Sequence, residues 1–249
     1  MWLSGFKWIF LIIGTTIGAG YASGRELWEF FGFESALAII LSSLLFFVCC
    51  YTIMKISFEK KTKHYKPVLM ELMGIRLTSL YDGMIIVYLF TLTMVMVAGG
   101  GATLQALHIP YWYGVILISL LLIMLFFRGI NGVTSANVLI MPFLIICLVA
   151  ILLYFQSESD FTINFDLNKQ RNWPSAFTFT ALNILPIVAV LAAIGTKIKQ
   201  KGEIVIASIG SAIILGSVSF IYNESLILIA SEVMTYEIPL FAILKNYPN

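Results

Sequence analysis

The chain has 249 residues, 60% of them hydrophobic and only 11% charged, with a formal net charge of +2. An ordinary soluble domain is about 25% charged, so that class is excluded, and so small a net charge carries no nucleic-acid signature. Apolar runs of about 20 residues recur, each long enough to cross about 30 Å of hydrocarbon, and the fold class they predict is an all-α polytopic membrane protein.

Seven apolar helices are predicted in order: Trp8 to Phe33, Glu34 to Met54, Ser79 to Leu107, Tyr111 to Phe127, Val133 to Phe155, Ser175 to Thr196 and Ile204 to Ala230. A lysine-rich loop lies between the second and third. The run Arg128-Gly129-Ile130-Asn131-Gly132 is turn chemistry between the fourth and fifth, and Pro142 kinks the fifth. Gln156 to Pro174 is the longest polar segment, read as an external loop or short surface helix. After the seventh helix only Ile238 to Leu244 is apolar, too short to span. Met1–Ile13 lacks the cleavage site of a signal peptide.

The first helix is unusual. Gly14, Gly18, Gly20 and Gly24 fall close together, and each glycine weakens a helix by about 1 kcal/mol relative to alanine. Ser23-Gly24-Arg25-Glu26 then has the pattern of a capping box, in which a serine hydroxyl accepts from a backbone N–H three residues on. The expectation is a membrane helix broken near Ala19–Ala22, with a second half-helix starting at Ser23. Such freed backbone groups are tolerated at membrane depth only inside protein or beside a wet cavity. The alternative is that the glycines serve helix packing, as in small-xxx-small contacts.

Orientation follows from the basic residues. A cytoplasmic N-terminus puts Lys7, Lys55, Lys60, Lys61, Lys63, Lys66, Arg76, Arg128, Lys197, Lys199 and Lys201 inside, eleven of the fifteen. The lysine run also suits anionic lipid. Helix 6 then starts outside, opposite in sense to helix 1. It carries Asn183 and Pro186, whose ring removes a backbone bond to Leu182. Two interrupted helices, five apart and oppositely oriented, point to an inverted-repeat transporter. A simple proline kink is the alternative. The predicted division is a first repeat over 1–155, an external loop over 156–174 and a partial second repeat over 175–249.

The segment Gly14-Thr15-Thr16-Ile17-Gly18-Ala19-Gly20-Tyr21-Ala22-Ser23-Gly24-Arg25-Glu26 resembles the first-helix signature of the YkvI-like membrane proteins, a bacterial branch of the amino acid–polyamine–organocation transporter superfamily. The resemblance implies the five-plus-five inverted-repeat fold with discontinuous helices 1 and 6, in the bacterial cytoplasmic membrane. It implies a substrate site at Gly18, Ala19, Gly20, Tyr21, Ala22 and Ser23, faced by Thr180 and Asn183 of helix 6. It places half of a sodium site at the Gly14 and Ile17 carbonyls. The chain departs from that fold in having about seven helices, so helices 8 to 10 are expected from a longer chain or a second one. Independently of the resemblance, a half-helix starting at Ser23 presents free N–H groups to a carboxylate, and carbonyls at the end of the other half suit a cation.

Arg25 and Glu29, at the outer end of helix 1, and Glu224 in helix 7 are candidates for gating or coupling, because ionisable residues near membrane depth default to function. Interfacial placement is the bland reading of all three. No HExxH, P-loop or GxSxG motif occurs, and the expectation is not an enzyme. Cys49, Cys50 and Cys147 lie in apolar runs without metal-ligand spacing; no metal beyond a sodium ion and no other cofactor is expected. The expected function is secondary transport of a small organic solute, an amino acid or related amine, coupled to sodium or protons. A small-ligand receptor with a transporter-like fold, or a membrane scaffold, are the alternatives.

Overall fold

The structure, a computed structural model, describes residues 2–159, 170–236 and 238–245. Its elements are α1 (Trp2–Thr16), α2 (Ala19–Ser23), α3 (Arg25–Phe30), α4 (Ala36–Glu59), α5 (Lys66–Ala106), α6 (Tyr111–Phe127), α7 (Gly129–Glu158), α8 (Ser175–Ala193), α9 (Lys201–Leu228) and α10 (Pro239–Lys245), with a 3-10 turn at Val233–Thr235. No strand occurs among the described residues. Five helices, α4, α5, α7, α8 and α9, are long and apolar enough to cross a membrane, which makes the chain a multi-pass membrane protein. The apolar α6 is shorter. With 15 residues, α1 extends about 22 Å, less than the hydrocarbon thickness, and α2 and α3 continue it.

The core is formed where α1, α4, α8 and α9 meet. Leu11, Ile12 and Ile13 of α1, Cys50 and Met54 of α4, Leu191 and Ala192 of α8, and Ala207 and Leu226 of α9 are all buried. Lipid is as apolar as these side chains, so close packing rather than hydrophobicity holds the helices together. A Cβ on Gly195, just after α8, would lie 2.2 Å from the Ser57 carbonyl oxygen, and one on Gly216 of α9 would lie 2.2 Å from Ser43 Oγ. Serine and threonine hydroxyls within the helices bond back to a preceding carbonyl, as Ser57 does to Ile53 at 2.6 Å and Thr16 does to Ile12 at 3.0 Å, so they enter the apolar core without an unpaired donor. By contrast α5 and α6 pack chiefly on each other, with a Cβ on Gly114 falling 2.4 Å from the Gly100 carbonyl oxygen, and Phe90, Trp112 and Phe127 face outward.

Several connectors share one end. The Thr62 hydroxyl donates to the Ala192 carbonyl at 2.7 Å, and Lys197 Nζ donates to Asn131 Oδ1 at 2.6 Å. Burial and the neighbouring Lys7 push the Lys197 ammonium below its usual range. The start of α1, the α4–α5 and α6–α7 connectors and the α8–α9 turn therefore lie together. At the other end Phe31 stacks on Phe179 of α8, with ring centroids 4.6 Å apart. So α1 and α8 run in opposite senses, as the topology argument required.

Four local expectations need correction. α8 runs unbroken through Pro186: the ring removes one bond, its side chain is buried, and Asn183 Nδ2 donates to the Phe179 carbonyl at 3.0 Å rather than lining a gap. The lysine-rich loop is shorter than expected, since α4 continues to Glu59 and α5 already begins at Lys66, with a left-handed Gly74 (φ 75°) between its two parts. The Arg128–Gly132 turn is largely helix, because α7 begins at Gly129. The break in helix 1 does not fall at Ala19–Ala22, which are helical. Most of the predicted external loop, residues 160–169, lies outside the described residues.

Candidate functional site

The first helix breaks twice, on either side of α2. The Ile17 N–H closes the last turn of α1 on the Ile13 carbonyl at 2.8 Å, and the Gly18 N–H then turns to the Thr16 carbonyl at 2.8 Å. A continuing helix would give that N–H to Gly14, so the Gly14 carbonyl is left outside the helical ladder. Gly18 is extended (φ −90°, ψ −174°), and α2 follows, opened by the Ala22 N–H on the Gly18 carbonyl at 2.9 Å. The second break is at Gly24, which is left-handed (φ 84°). Only glycine adopts that conformation cheaply, and a Cβ there would meet the Tyr222 ring at 2.8 Å.

The capping box is not closed. Gly24, not Ser23, precedes α3, with no side-chain cap bond. Ser23 Oγ accepts instead from the Arg25 N–H, at 3.3 Å. The glycine restarts the helix by its backbone conformation, which displaces the serine by one position.

α2 is fastened to α9. Tyr21 is fully buried; its hydroxyl donates to the Leu215 carbonyl at 3.1 Å and lies 2.8 Å from Ser219 Oγ. Tyr222 of α9 donates to the Ala22 carbonyl at 3.1 Å. Two cavities flank this segment. A small one of about 20 Å³ has a mostly apolar wall, in which Thr16, Tyr21, Ser42, Ser43, Thr180 and Ser219 stand among Phe46, Phe179, Ala212 and Leu215. A larger one of about 620 Å³ lies beside Ala22, Ser23 and Arg25, walled by Met96, Gly99 and Thr103 of α5, Tyr111 of α6 and Phe241 of α10. Its volume lies in the range of small-molecule sites, and its mostly apolar wall with a few polar groups is the usual composition of one.

The predicted site residues are thus distributed. Tyr21 and Thr180 meet at the small cavity, and Ala22, Ser23 and Arg25 at the large one. Asn183 is buried but bonded within α8 and lines neither of these cavities. Ala19 and Gly20 lie on α2. Gly18 approaches Met96 of α5: a Cβ would lie 2.9 Å from its terminal methyl. Ile17 is buried in the core, and Gly14 lies against Asn137 of α7, whose side-chain amide nitrogen would be 2.5 Å from a Cβ there. Arg25 Nε pairs with Glu29 at 2.9 Å, both half exposed. Glu224 is half-buried on α9, beside Asn223, which donates to the Gly32 carbonyl at 2.9 Å. Among the described residues no group of three His, Cys, Asp or Glu is placed to hold a metal ion.

Sequence reasoning missed Ser42, Ser43 and Ser219, which stand in the small cavity's wall, and Asn137. Paired serines inside the apolar second helix were the available signal. It also missed Glu203. This side chain is 2% exposed and accepts from Trp8 Nε1 at 3.0 Å, tying the middle of α1 to the start of α9.

Comparison with known proteins places the chain. It is 48% identical over 248 residues to the uncharacterized protein YyaD of Bacillus subtilis (strain 168), covering 100% of this chain and 73% of YyaD. The chain belongs to the YyaD family. It is also 27% identical over 243 residues to the uncharacterized membrane protein YkvI of the same organism, covering 93% of this chain and 68% of YkvI. The likeness expected from Gly14–Glu26 is therefore met as a distant relation to a membrane protein. No family model and no solved structure matches the chain. The YyaD relation spans both breaks and the residues of both cavities.

Proposed function

We propose that this chain is a secondary-transporter-type protein of the cytoplasmic membrane that binds a small organic solute, an amino acid or related amine, at the broken first helix. The observation that carries the reading is the pair of breaks around α2, at Gly18 and Gly24, with the larger cavity against its outer side. Unpaired backbone at membrane depth belongs beside a cavity, and discontinuous helices are how transporters expose backbone dipoles to a solute and an ion. Arg25 at that cavity suits a carboxylate, and the apolar wall suits an uncharged side chain. The Gly14 carbonyl, outside the helical ladder, suits a coupling cation; sodium or proton coupling is part of the proposal. The basic connectors gathered at one end support a cytoplasmic N-terminus.

A second reading, a receptor that binds without transporting, is favoured by one observation. α8 is continuous and hydrogen-bonded within itself, so of the two helices expected to be interrupted the first alone is. Uptake of radiolabelled amino acids into liposomes containing the purified chain separates the two. Binding with uptake supports transport; binding without uptake supports the receptor. Absence of binding, together with an unchanged Gly24→Leu variant, overturns both.

A further inference from the structure

We propose that a helical hairpin at the start of α5, bent at Gly74, docks on an anionic lipid surface: its apolar tip enters the headgroup layer while Lys61, Lys63 and Arg76 pair with lipid phosphates.

The hairpin is set by its bend. Gly74 (φ 75°, ψ 174°) takes a conformation open essentially to glycine alone. A Cβ there would meet nothing within 4 Å, so the glycine serves the backbone and not close packing. Lys66 Nζ pairs with Asp82 Oδ2 at 2.8 Å, and the Tyr65 hydroxyl donates to Asp82 Oδ1. In a straight helix Lys66 and Asp82 would stand about 24 Å apart. Residues 66–73 are therefore folded back on those that follow Gly74. Val68 and Leu69 on one arm and Thr78 on the other are buried. Thr62, just before the hairpin, is bonded to the Ala192 carbonyl, which fixes the hairpin to the end of the bundle. Over residues 83–107 no charged residue occurs, so the membrane-crossing part of α5 begins near Gly83 and both arms lie at its edge.

Apolar surface and unpaired charge meet there. Met70, Leu72, Ile75 and Leu77, all within four residues of the bend, are exposed, Ile75 to 75%. A cluster of exposed apolar side chains marks an interaction surface. Residues 55–82 hold six basic residues against three acidic. Glu71 is taken by Lys60 and Asp82 by Lys66, which leaves Glu59 against Lys55, Lys61, Lys63 and Arg76. Among the described residues none of these four cations pairs with a carboxylate. Lys61 Nζ lies over the neutral Phe58 ring, 3.9 Å from its centroid. Lys61, Lys63 and Arg76 are exposed, and Arg76 sits between Ile75 and Leu77 at the tip. Apolar side chains flanked by unpaired cations suit the boundary of an anionic bilayer, the first toward the acyl chains and the second toward the phosphates. Because both arms lie at the edge of the hydrocarbon, a protein partner would reach this surface only by displacing the lipid already beside it.

Docking is independent of solute transport, so the test contains no solute. The full chain, with its three cysteines replaced by serine and Ile75→Cys carrying an environment-sensitive fluorophore, is reconstituted into two kinds of vesicle. One is phosphatidylcholine alone, the other phosphatidylcholine and phosphatidylglycerol in equal parts. The anionic vesicles are expected to blue-shift the emission and to allow quenching by spin-labelled acyl chains. About 0.5 M salt, which cuts the screening length to about 4 Å, is expected to weaken both effects. Lys61→Gln, Lys63→Gln and Arg76→Gln together are expected to lower the ratio of docked to undocked hairpin on the order of 100-fold, about fivefold per cation, and so to abolish the dependence on lipid charge. The charge-matched triple Arg128→Gln, Lys199→Gln and Lys201→Gln, at the same end of the bundle and exposed, is expected to keep it. Should the first triple fail to fold, the salt and lipid dependence of the labelled chain with its cations intact decides. Equal emission in the two lipids would overturn the proposal, as would equal losses in the two triples, which would reduce it to net charge. A label left open to aqueous iodide in both vesicles would overturn it too, by leaving the surface to a soluble partner.

Discussion

α5 and α8 are both apolar enough to cross a membrane, yet half of α8's most apolar stretch (50%) is buried, against 6% of α5's. The difference lies in what interrupts the apolar side chains. α8 meets α4 through Thr180, bonded to the Ser42 carbonyl, and the turn after α8 meets α4 and its connector through Gly195 and the Thr62 hydroxyl. α5 turns Gly100 and Gly101 toward α6 and large side chains such as Leu80, Val87 and Phe90 outward. Hydrophobicity places a helix in the bilayer; small residues and side-chain hydrogen bonds decide which helices form the core. The candidate site follows that rule, since the cavity walls come from the packed bundle and α5–α6 closes one side of the larger cavity.

The contrast is broken most severely by filling a core contact. Gly195→Leu puts a branched side chain onto the Ser57 carbonyl and Thr62 hydroxyl and is expected to cost about 3 kcal/mol or more, seen as loss of monodisperse protein in detergent. Gly83→Leu on α5, where a Cβ meets nothing within 4 Å, is expected to leave the elution profile and Tm unchanged. A similar cost for both substitutions would remove the distinction between the regions.

Next in size is the Trp8–Glu203 hydrogen bond, with both side chains 2% exposed. Glu203→Ala leaves the indole N–H unpaired at a cost of about 1–3 kcal/mol, while Glu203→Gln keeps an acceptor and recovers most of it. The exposed Arg25–Glu29 pair is the comparison: Arg25→Ala is expected to cost no more than about 0.5 kcal/mol in stability. Thermal unfolding of the three variants checks the order.

Tyr222→Phe, which frees the Ala22 carbonyl from α9, is expected to cost about 1 kcal/mol and to loosen α2. Faster proteolysis or faster hydrogen exchange confined to α2 and α3 would report it. Unchanged exchange there would show that Tyr21 alone fastens the segment.

The smallest effect is expected at Phe127, 87% exposed at the end of α6. Phe127→Ala removes no protein contact of consequence and is expected to shift stability by less than about 0.5 kcal/mol. Fluorescence sharpens the same comparison without a stability measurement. In single-tryptophan variants, brominated lipid should quench Trp112, 70% exposed, and spare Trp8, 2% exposed.

Parts of the site were legible in the residues. The glycine cluster marked an interrupted helix, and the interruption is there, because Gly24 adopts a conformation that disfavours a side chain. Its register was not legible. Ser23 has the right spacing for a capping box, but the left-handed glycine beside it sets the start of α3, and local pattern does not say which of two compatible restarts the packing of Tyr222 will select. Pro186 was read as a break because a proline always removes one backbone bond; whether that opens a helix depends on neighbours, and here the ring is buried while Asn183 turns back onto its own helix. Glu203 and Trp8 are 195 residues apart in the chain, a pairing no local pattern contains.

What the sequence by itself determined is the class and the interruption: long apolar segments that only a bilayer accommodates, basic residues sorted toward one end, and a first helix too rich in glycine to run straight. These are properties of composition and of single residues, so they survive without knowledge of any contact. The tertiary structure alone decided which apolar helices are core, where each hydroxyl sends its proton, and which side of α2 each cavity occupies. Lipid and protein interior are equally apolar, so no one-dimensional hydrophobic pattern separates them; the distinction rests on close approach and hydrogen bonding between segments far apart in the chain.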